Sequence, residues 1–211
     1  MSPKLLIVDD HEVVRQGLRA LFAQADGELI SILCDGSSVL EEVDRNCPDA
    51  ILMDVRMEPV DGLTALDQIR SSFPDLPVVM LSSYDNPTYV ARAVALGATE
   101  FVLKGDSRAV LLGAVRAAIA RQAPSTDGRL ARTKRAMSSE MPASQNFDSP
   151  LTSREVQVLR HLALGLSNKE IAQSLSISVE TVKEHVQNIL RKLNAADRTD
   201  AAVRAVRMDL I

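Results

Sequence analysis

Asp49-Ala50-Ile51-Leu52-Met53-Asp54 decides how the front half of this chain reads. A short unbroken apolar run between two acids lacks both the length of a helix face and the alternation of a half-exposed strand. It fits a strand buried on both faces of a parallel sheet. In open α/β sheets, sites form beyond the C-terminal ends of strands, and Asp54 stands at this one. Three other runs repeat the arrangement. Lys4-Leu5-Leu6-Ile7-Val8 leads to Asp9 and Asp10, Val78-Val79-Met80-Leu81 to Ser82 and Ser83, and Phe101-Val102-Leu103 to Lys104. Acid, acid, hydroxyl and ammonium then converge on one crevice, a set suited to a divalent cation and a phosphoryl group.

Working outward, strands are expected at 4–9, 28–33, 49–54, 77–82 and 100–103. Helical patterns alternate with them at 12–25, 36–46, 62–72, 86–96 and 107–121. Such alternation argues for a doubly wound, five-stranded parallel sheet with helices on both faces. Right-handed crossovers place every strand's C-terminal end on the same edge. Gly62, Gly97 and Gly105 fall where the chain should turn.

From about residue 122 the texture changes to Ser, Pro and small polar residues. Residues 1–123 therefore read as one domain, 124–149 as a linker with a short helix through Arg129–Met137, and 150–211 as a second, all-α domain. In the last stretch Thr152-Ser153-Arg154-Glu155 and Ser167-Asn168-Lys169-Glu170 are capping boxes that open two helices. Val156, Leu159 and Ala163 form the expected inward stripe of the first, and Ile171, Ala172 and Leu175 that of the second. Ser178 caps a third helix with Val182, Val186, Ile189 and Leu193 inward, and Asp197 caps a fourth carrying Ala201, Ala202, Ala205 and Val206. Four short helices, the second and third joined by a tight turn, are the signature of a helix-turn-helix.

Composition agrees with two jobs. The 211 residues carry a formal charge of -4. The front 123 residues hold 11 Lys/Arg against 18 Asp/Glu, whereas residues 150–211 hold 9 against 7. An acidic front and a mildly basic back suggest different partners. No apolar run approaches the roughly 20 residues that cross a bilayer, and no secretory signal is visible. Cys34 and Cys47 form no motif and fit a reducing cytoplasm.

Residues 4–121 resemble the receiver domain of two-component response regulators, and 150–211 resemble the LuxR/NarL/FixJ-type helix-turn-helix. The first likeness rests on Asp9-Asp10, Asp54, Ser82 and Lys104, each at its own strand end. Singly, an Asp at a strand end is a cap, Phe101 is core packing and Lys104 is a solvated loop lysine; their convergence carries the reading. Three clustered carboxylates are costly without a cation, and oxygen ligands with room for water suit Mg2+. The resemblance implies that Asp10 and Asp54 ligate it together with the backbone carbonyl of Arg56, while Asp9 acts through water. It implies that Asp54 is the nucleophile that takes the phosphoryl group. Lys104 and Ser82 then hold phosphate oxygens, helped by amides near Val55 and Ser83, and Ser82 and Phe101 form the switch. One departure is Glu58-Pro59, where the family pattern has Pro at the position of Glu58. His11 opens the first helix beside the acids and is assigned no catalysis.

In the back half, Thr181-Val182-Lys183-Glu184-His185-Val186 matches the family's recognition-helix core, and Asn168-Lys169-Glu170-Ile171-Ala172 matches the preceding helix. Lys183 and Gln187 share an outward face beside Glu184, suited to base edges. Lys169, Arg191, Lys192 and Thr181 are placed for phosphates. Together these features imply a phosphorylation-dependent DNA-binding transcription regulator. Its partners would be a sensor histidine kinase and double-stranded DNA, gripped as a homodimer through the alanine-rich last helix. It is not expected to be an enzyme beyond self-phosphorylation and slow autodephosphorylation. Two other readings are an atypical regulator, whose receiver is a protein-binding module, and a metal-dependent phosphohydrolase, for which the chain has no obvious substrate-specificity cap.

Overall fold

The computed structural model describes residues 3–23, 28–122, 125–138 and 151–207. The expected linker boundaries and the Ser/Pro-rich stretch from 139 to 146 lie outside the described residues. The front half alternates β1 (Lys4–Val8), α1 (Glu12–Ala23), β2 (Glu28–Leu33), α2 (Val39–Asn46), β3 (Ala50–Asp54), α3 (Gly62–Ser72), β4 (Val78–Ser82), α4 (Pro87–Ala95), β5 (Glu100–Leu103) and α5 (Arg108–Ile119). The sheet order is β2-β1-β3-β4-β5, and every pairing is parallel. The order reverses between β1 and β3, which opens a crevice beyond their C-terminal ends.

Register puts the chemistry in one row. Val8 pairs with Met53, Asp54 with Leu81 and Ser82 with Leu103, so Asp9, Asp54, Ser82 and Lys104 leave the sheet at about the same height. Every residue of β3 and β4 is buried, as their unbroken apolar character requires. Alternate residues feed two cores. Leu6, Ile51, Met53, Met80 and Phe101 face one side, and Leu5, Ile7, Leu52, Val79 and Val102 the other.

Local signals set the helix starts. The Asp61 carboxylate accepts from the amides of Leu63 and Thr64 to cap α3. Asn86 caps α4, with Pro87 in its first turn, and Ser107 caps α5. Gly62 is a position that admits no side chain. Its amide donates to the Val55 carbonyl at 2.9 Å, and a Cβ there would lie 1.9 Å from the Asp54 carbonyl oxygen.

The helix expected inside the linker, α6 (Arg129–Ser138), is docked rather than free. Arg129 donates to Asp106 at 2.8 Å and lies 3.4 Å from Asp85. Leu130 is buried in the core that contains Phe101, and Met137 in the core of the helical domain.

That domain comprises α7 (Ser153–Ala163), α8 (Asn168–Leu175), α9 (Val179–Leu193) and α10 (Arg198–Arg207). Both expected capping boxes form. The buried stripe of α7 differs from the expected one. Val158, Leu159 and Leu162 are buried, Val156 is half-buried and Ala163 is exposed. Two polar residues, Glu155 and His161, turn inward and rotate the buried arc. His161 has partners on both ring nitrogens, the Gln157 carbonyl at 2.7 Å and the Ser174 hydroxyl at 2.9 Å. On α10, Ala201 and Ala205 are buried but Val206 is exposed, because it falls off the face those two alanines define.

Gly62→Ala drives a methyl group into the backbone behind Asp54. The expected cost is about 3 kcal/mol, the upper end for overpacking. It is read as a lowered melting temperature of the sheet domain by calorimetry. Asp61→Ala, which removes only the cap, is expected to cost about 1 kcal/mol.

Candidate phosphoacceptor and nucleic-acid sites

Asp9, Asp54 and Ser82 are among the few buried polar residues of the described chain. Lys104 reaches back from the end of β5 and lies 2.8 Å from Asp9 Oδ2 and 2.9 Å from Asp54 Oδ2. The other Asp9 oxygen accepts from the His11 backbone amide at 2.8 Å. The Arg15 guanidinium donates to the Asp9 carbonyl at 2.8 Å. Asp9 is thus held on all sides and serves as the anchor of the cluster.

Burial pushes the Asp54 carboxyl above the usual carboxylate range, against the pull of Lys104 and of a hydrogen bond from the Arg56 amide. Burial also disfavours the charged Lys104, but its bonds to Asp9 and Asp54 outweigh that and raise its pKa. The carboxylates therefore hold Lys104 charged, whereas Lys104 only partly offsets the burial of Asp54.

Three carboxylates facing one ammonium leave a charge of about -2 when all are ionised. Ligand atoms of Asp9, Asp10, His11 and Asp54 all lie within 4.8 Å of one another. A divalent cation restores the balance, so the residues fit the group that their chemistry calls for. The cleft around them has a volume of ≈ 470 Å3 and extends from Asp10 and Asp54 past Ser82 to Tyr89 and Arg92 on α4. Arg56 and Glu58 line its rim, and the Arg56 guanidinium sits 5.9 Å over the Tyr84 ring.

The Ser82 hydroxyl donates to the Tyr84 carbonyl and accepts from the Tyr84 amide, both at 3.0 Å. It is thereby occupied within its own turn, and it must leave that turn to reach a group on Asp54. Phe101 is buried against the same side of the sheet. Of the two amides expected to help, Val55 is already committed, donating to the Leu81 carbonyl at 2.9 Å. The amide that reaches Asp54 is that of Arg56, which sequence spacing alone did not distinguish.

In the helical domain Ser178 caps α9 by accepting from the Thr181 amide at 3.0 Å. Lys183, Glu184, Gln187 and Arg191 are exposed on α9. Lys183 pairs with Glu180 at 2.8 Å, and Arg191 with Asn188 at 2.9 Å. Lys192 behaves otherwise. Its ammonium lies 2.7 Å from Glu155 in the α7 capping box, so it ties α9 to α7 and is not free for a phosphate in this arrangement.

Lys169, at the start of α8, lies 2.5 Å from Asp67 on α3, and Gln173 donates to the same carboxylate at 3.2 Å. Beside them Arg92 of α4 lies 2.5 Å from Glu170, the acid of the α8 capping box. Ala91 is buried in the core of the helical domain. Gly165, with φ +80, brings the α7–α8 turn against Thr88; a Cβ there would lie 3.1 Å from Thr88 Cγ2. Asp67 and Arg92 carry no motif and escaped the sequence reading.

The two halves of the chain match two family models. Residues 5–116 match the response regulator receiver domain, and residues 149–205 match the LuxR family of bacterial regulatory proteins. The chain belongs to the LuxR-type response regulators. It is 36% identical over its whole length to all of the response regulator protein VraR of Staphylococcus saprophyticus. It is 37% identical to the transcriptional regulatory protein LiaR of Bacillus subtilis, across 99% of each chain. Among solved structures it is similar to the response regulator ChrA of a heme-sensing two-component system, with 30% identity, 100% of this chain and 99% of that chain covered, and a TM-score of 0.55. The response regulator RcsB in its DNA complex shares the fold at 21% identity and a TM-score of 0.57, over 98% of each chain. As a LuxR-type response regulator the protein is a phosphorylation-dependent transcription regulator of a two-component system, with a receiver sheet and a helix-turn-helix. Among the described residues no helix is long and apolar enough to cross a membrane.

Burial pushes the Glu170 carboxyl up, but Arg92 and the Ser167 amide and hydroxyl outweigh it and hold the group below the usual carboxylate range. The stabilisation from Arg92 is therefore complete above about pH 4.5 and is lost as pH falls through the lowered value. Acidification is expected to loosen the contact between α4 and α8, measured by hydrogen exchange. Glu170→Gln is expected to reproduce the loosening at neutral pH.

Proposed function

We propose that Asp54 takes the phosphoryl group from a sensor histidine kinase and that the modified receiver controls DNA binding by α8 and α9. The observation that carries this reading is Lys104 bound at once to Asp9 and Asp54, beside the Ser82 hydroxyl on the neighbouring strand end. Asp10, Asp54 and the Arg56 carbonyl would hold Mg2+, which supplies positive charge to the oxygens of the incoming group. Asp54 attacks phosphorus as the P–N bond to the kinase's phosphohistidine breaks and the imidazole leaves, and water then slowly hydrolyses the acyl phosphate; no outside substrate turns over. Lys104 and Ser82 neutralise and bond phosphate oxygens. Ser82 leaves Tyr84 to do so, and Phe101, already buried in the sheet core, repacks in response.

On the DNA side, Lys183, Glu184 and Gln187 would read base edges, with Lys169, Thr181 and Arg191 on phosphates. Lys192 joins them only if it releases Glu155. A single small helical domain grips DNA weakly, so the bound form is a homodimer on paired half-sites. The protein acts in the cytoplasm, through domains spanning 1–123 and 150–211 joined by 124–149. In the arrangement described above, α8 is held by Asp67 and Arg92 of the receiver. A receiver carboxylate then occupies the ammonium that a DNA phosphate would take.

Selection of random duplex DNA on the purified chain tests this, with Mg2+ alone and with Mg2+ plus beryllofluoride as the phosphoaspartate mimic. A paired half-site enriched only with the mimic is expected. Equal enrichment in both arms would remove phosphorylation as the gate. Asp67→Ala is expected to tighten DNA binding of the unphosphorylated chain by about 2- to 5-fold, the scale of an exposed ion pair, measured by fluorescence anisotropy. No change would sink the masking of Lys169.

A further inference from the structure

Arg129, the first residue of α6, belongs to no motif, yet it touches the loops that follow β4 and β5. Its guanidinium forks onto Asp106, Nη1 donating to Oδ2 at 2.8 Å and Nη2 to Oδ1 at 3.3 Å. Its Nε donates to Asp85 at 3.4 Å. The side chains of Arg129 and Asp106 are mostly buried, whereas that of Asp85 is 63% exposed. The fork on Asp106 is therefore the firmer contact and the bond to Asp85 the weaker one.

Both acids stand beside residues that the cleft uses. Asp106 accepts from the Leu103 amide at 2.9 Å, and its own amide donates to the Leu103 carbonyl at 3.0 Å. These bonds close the turn that carries Lys104, whose amide donates to the Ser82 carbonyl at 2.7 Å. Asp85 follows Tyr84, whose amide and carbonyl occupy the Ser82 hydroxyl. One guanidinium thus braces the turn behind Lys104 and the turn that engages Ser82. The segment around it is anchored as well. The Ser125 amide donates to Glu100 at 3.3 Å, and Leu130 is buried in the core that holds Phe101.

Building on the reading that Asp54 is the phosphoacceptor, we infer that Arg129 is a positioning residue for that reaction, clamping both turns in the arrangement that keeps Ser82 bonded to Tyr84. It touches neither Asp54 nor the incoming group. A phosphoryl group that draws Ser82 out of the Tyr84 turn works against this clamp. The linkage is reciprocal: whatever factor the clamp costs the modified state, modification costs the docking of α6. Met137 of the same helix is buried in the helical domain. Occupancy of Asp54 therefore reaches that domain by a second route, separate from the contacts of Asp67 and Arg92.

The test titrates the full chain with beryllofluoride at fixed Mg2+, followed by fluorine NMR of the bound mimic. Arg129→Ala is expected to bind it about 2- to 5-fold more tightly than the unaltered chain, the scale of a partly exposed ion pair. Asp106→Asn keeps an oxygen for the Leu103 amide but loses the charge, and it is expected to shift affinity the same way. The double variant is expected to gain no more than Arg129→Ala alone, because the two changes remove one contact. A residue that only stabilised the fold would, on removal, leave the affinity unchanged or weaken it. Either result overturns the inference, as do additive gains in the double variant. Hydrogen exchange gives the reciprocal readout: the mimic is expected to speed exchange of the α6 amides about 2- to 5-fold, and unchanged exchange also overturns it. Asp54→Asn separates the two layers. If the mimic binds that variant as well as the unaltered chain, the phosphoacceptor reading fails and the role of Arg129 falls with it. Binding that needs Asp54 but ignores Arg129 sinks this inference alone.

Discussion

The structure depends on Lys104 standing between two buried carboxylates. Asp9 and Asp54 end adjacent strands, and their like charges, buried side by side, repel one another unless a cation stands between them. The ammonium arrives from β5, two strands away from β3, so the ends of β1, β3 and β5 are pinned together by charge. β4 lies between β3 and β5, and its terminal Ser82 is thereby held at the same edge with its hydroxyl folded into its own turn. A new anion at Asp54 would draw on the same ammonium and hydroxyl. Local electrostatics at one carboxylate would thus be coupled to the turn that leads into α4.

α4 gives that coupling a destination. It carries Arg92 and Ala91 into the helical domain, and its neighbour α3 carries Asp67 to Lys169. The contact is made with α8, whereas the outward face of α9 remains exposed. The face of α9 that carries Lys183, Glu184 and Gln187 is therefore open while α8 is held against the receiver.

The fold was legible because its signals are local. Unbroken apolar runs marked β3 and β4, and Asp61, Asn86, Ser107, Thr152, Ser167 and Ser178 cap helices whose starts follow from side-chain chemistry. The cluster of Asp9, Asp54, Ser82 and Lys104 was legible because parallel strands must align their ends. The remainder depends on contacts between distant segments. Nothing in the neighbourhood of Lys192 announces Glu155, and nothing near Asp67 announces Lys169. The Val55 amide looked available because a strand end gives no sign of which amide closes the ladder. Ala163 was misassigned for a related reason: helical spacing gives the period of a stripe, but buried polar residues such as His161 shift its phase.

The helix α6 has one end in each core, Leu130 beneath the sheet domain and Met137 within the helical domain, and its first residue is tied to the loops after β4 and β5. A segment so placed is a ruler as well as a tether. Each residue of an α-helix adds about 1.5 Å and about 100° of rotation. Lengthening it by one residue would leave both domains intact yet aim Met137 away from its pocket. The angle and spacing between the two domains are therefore written in the length of this helix.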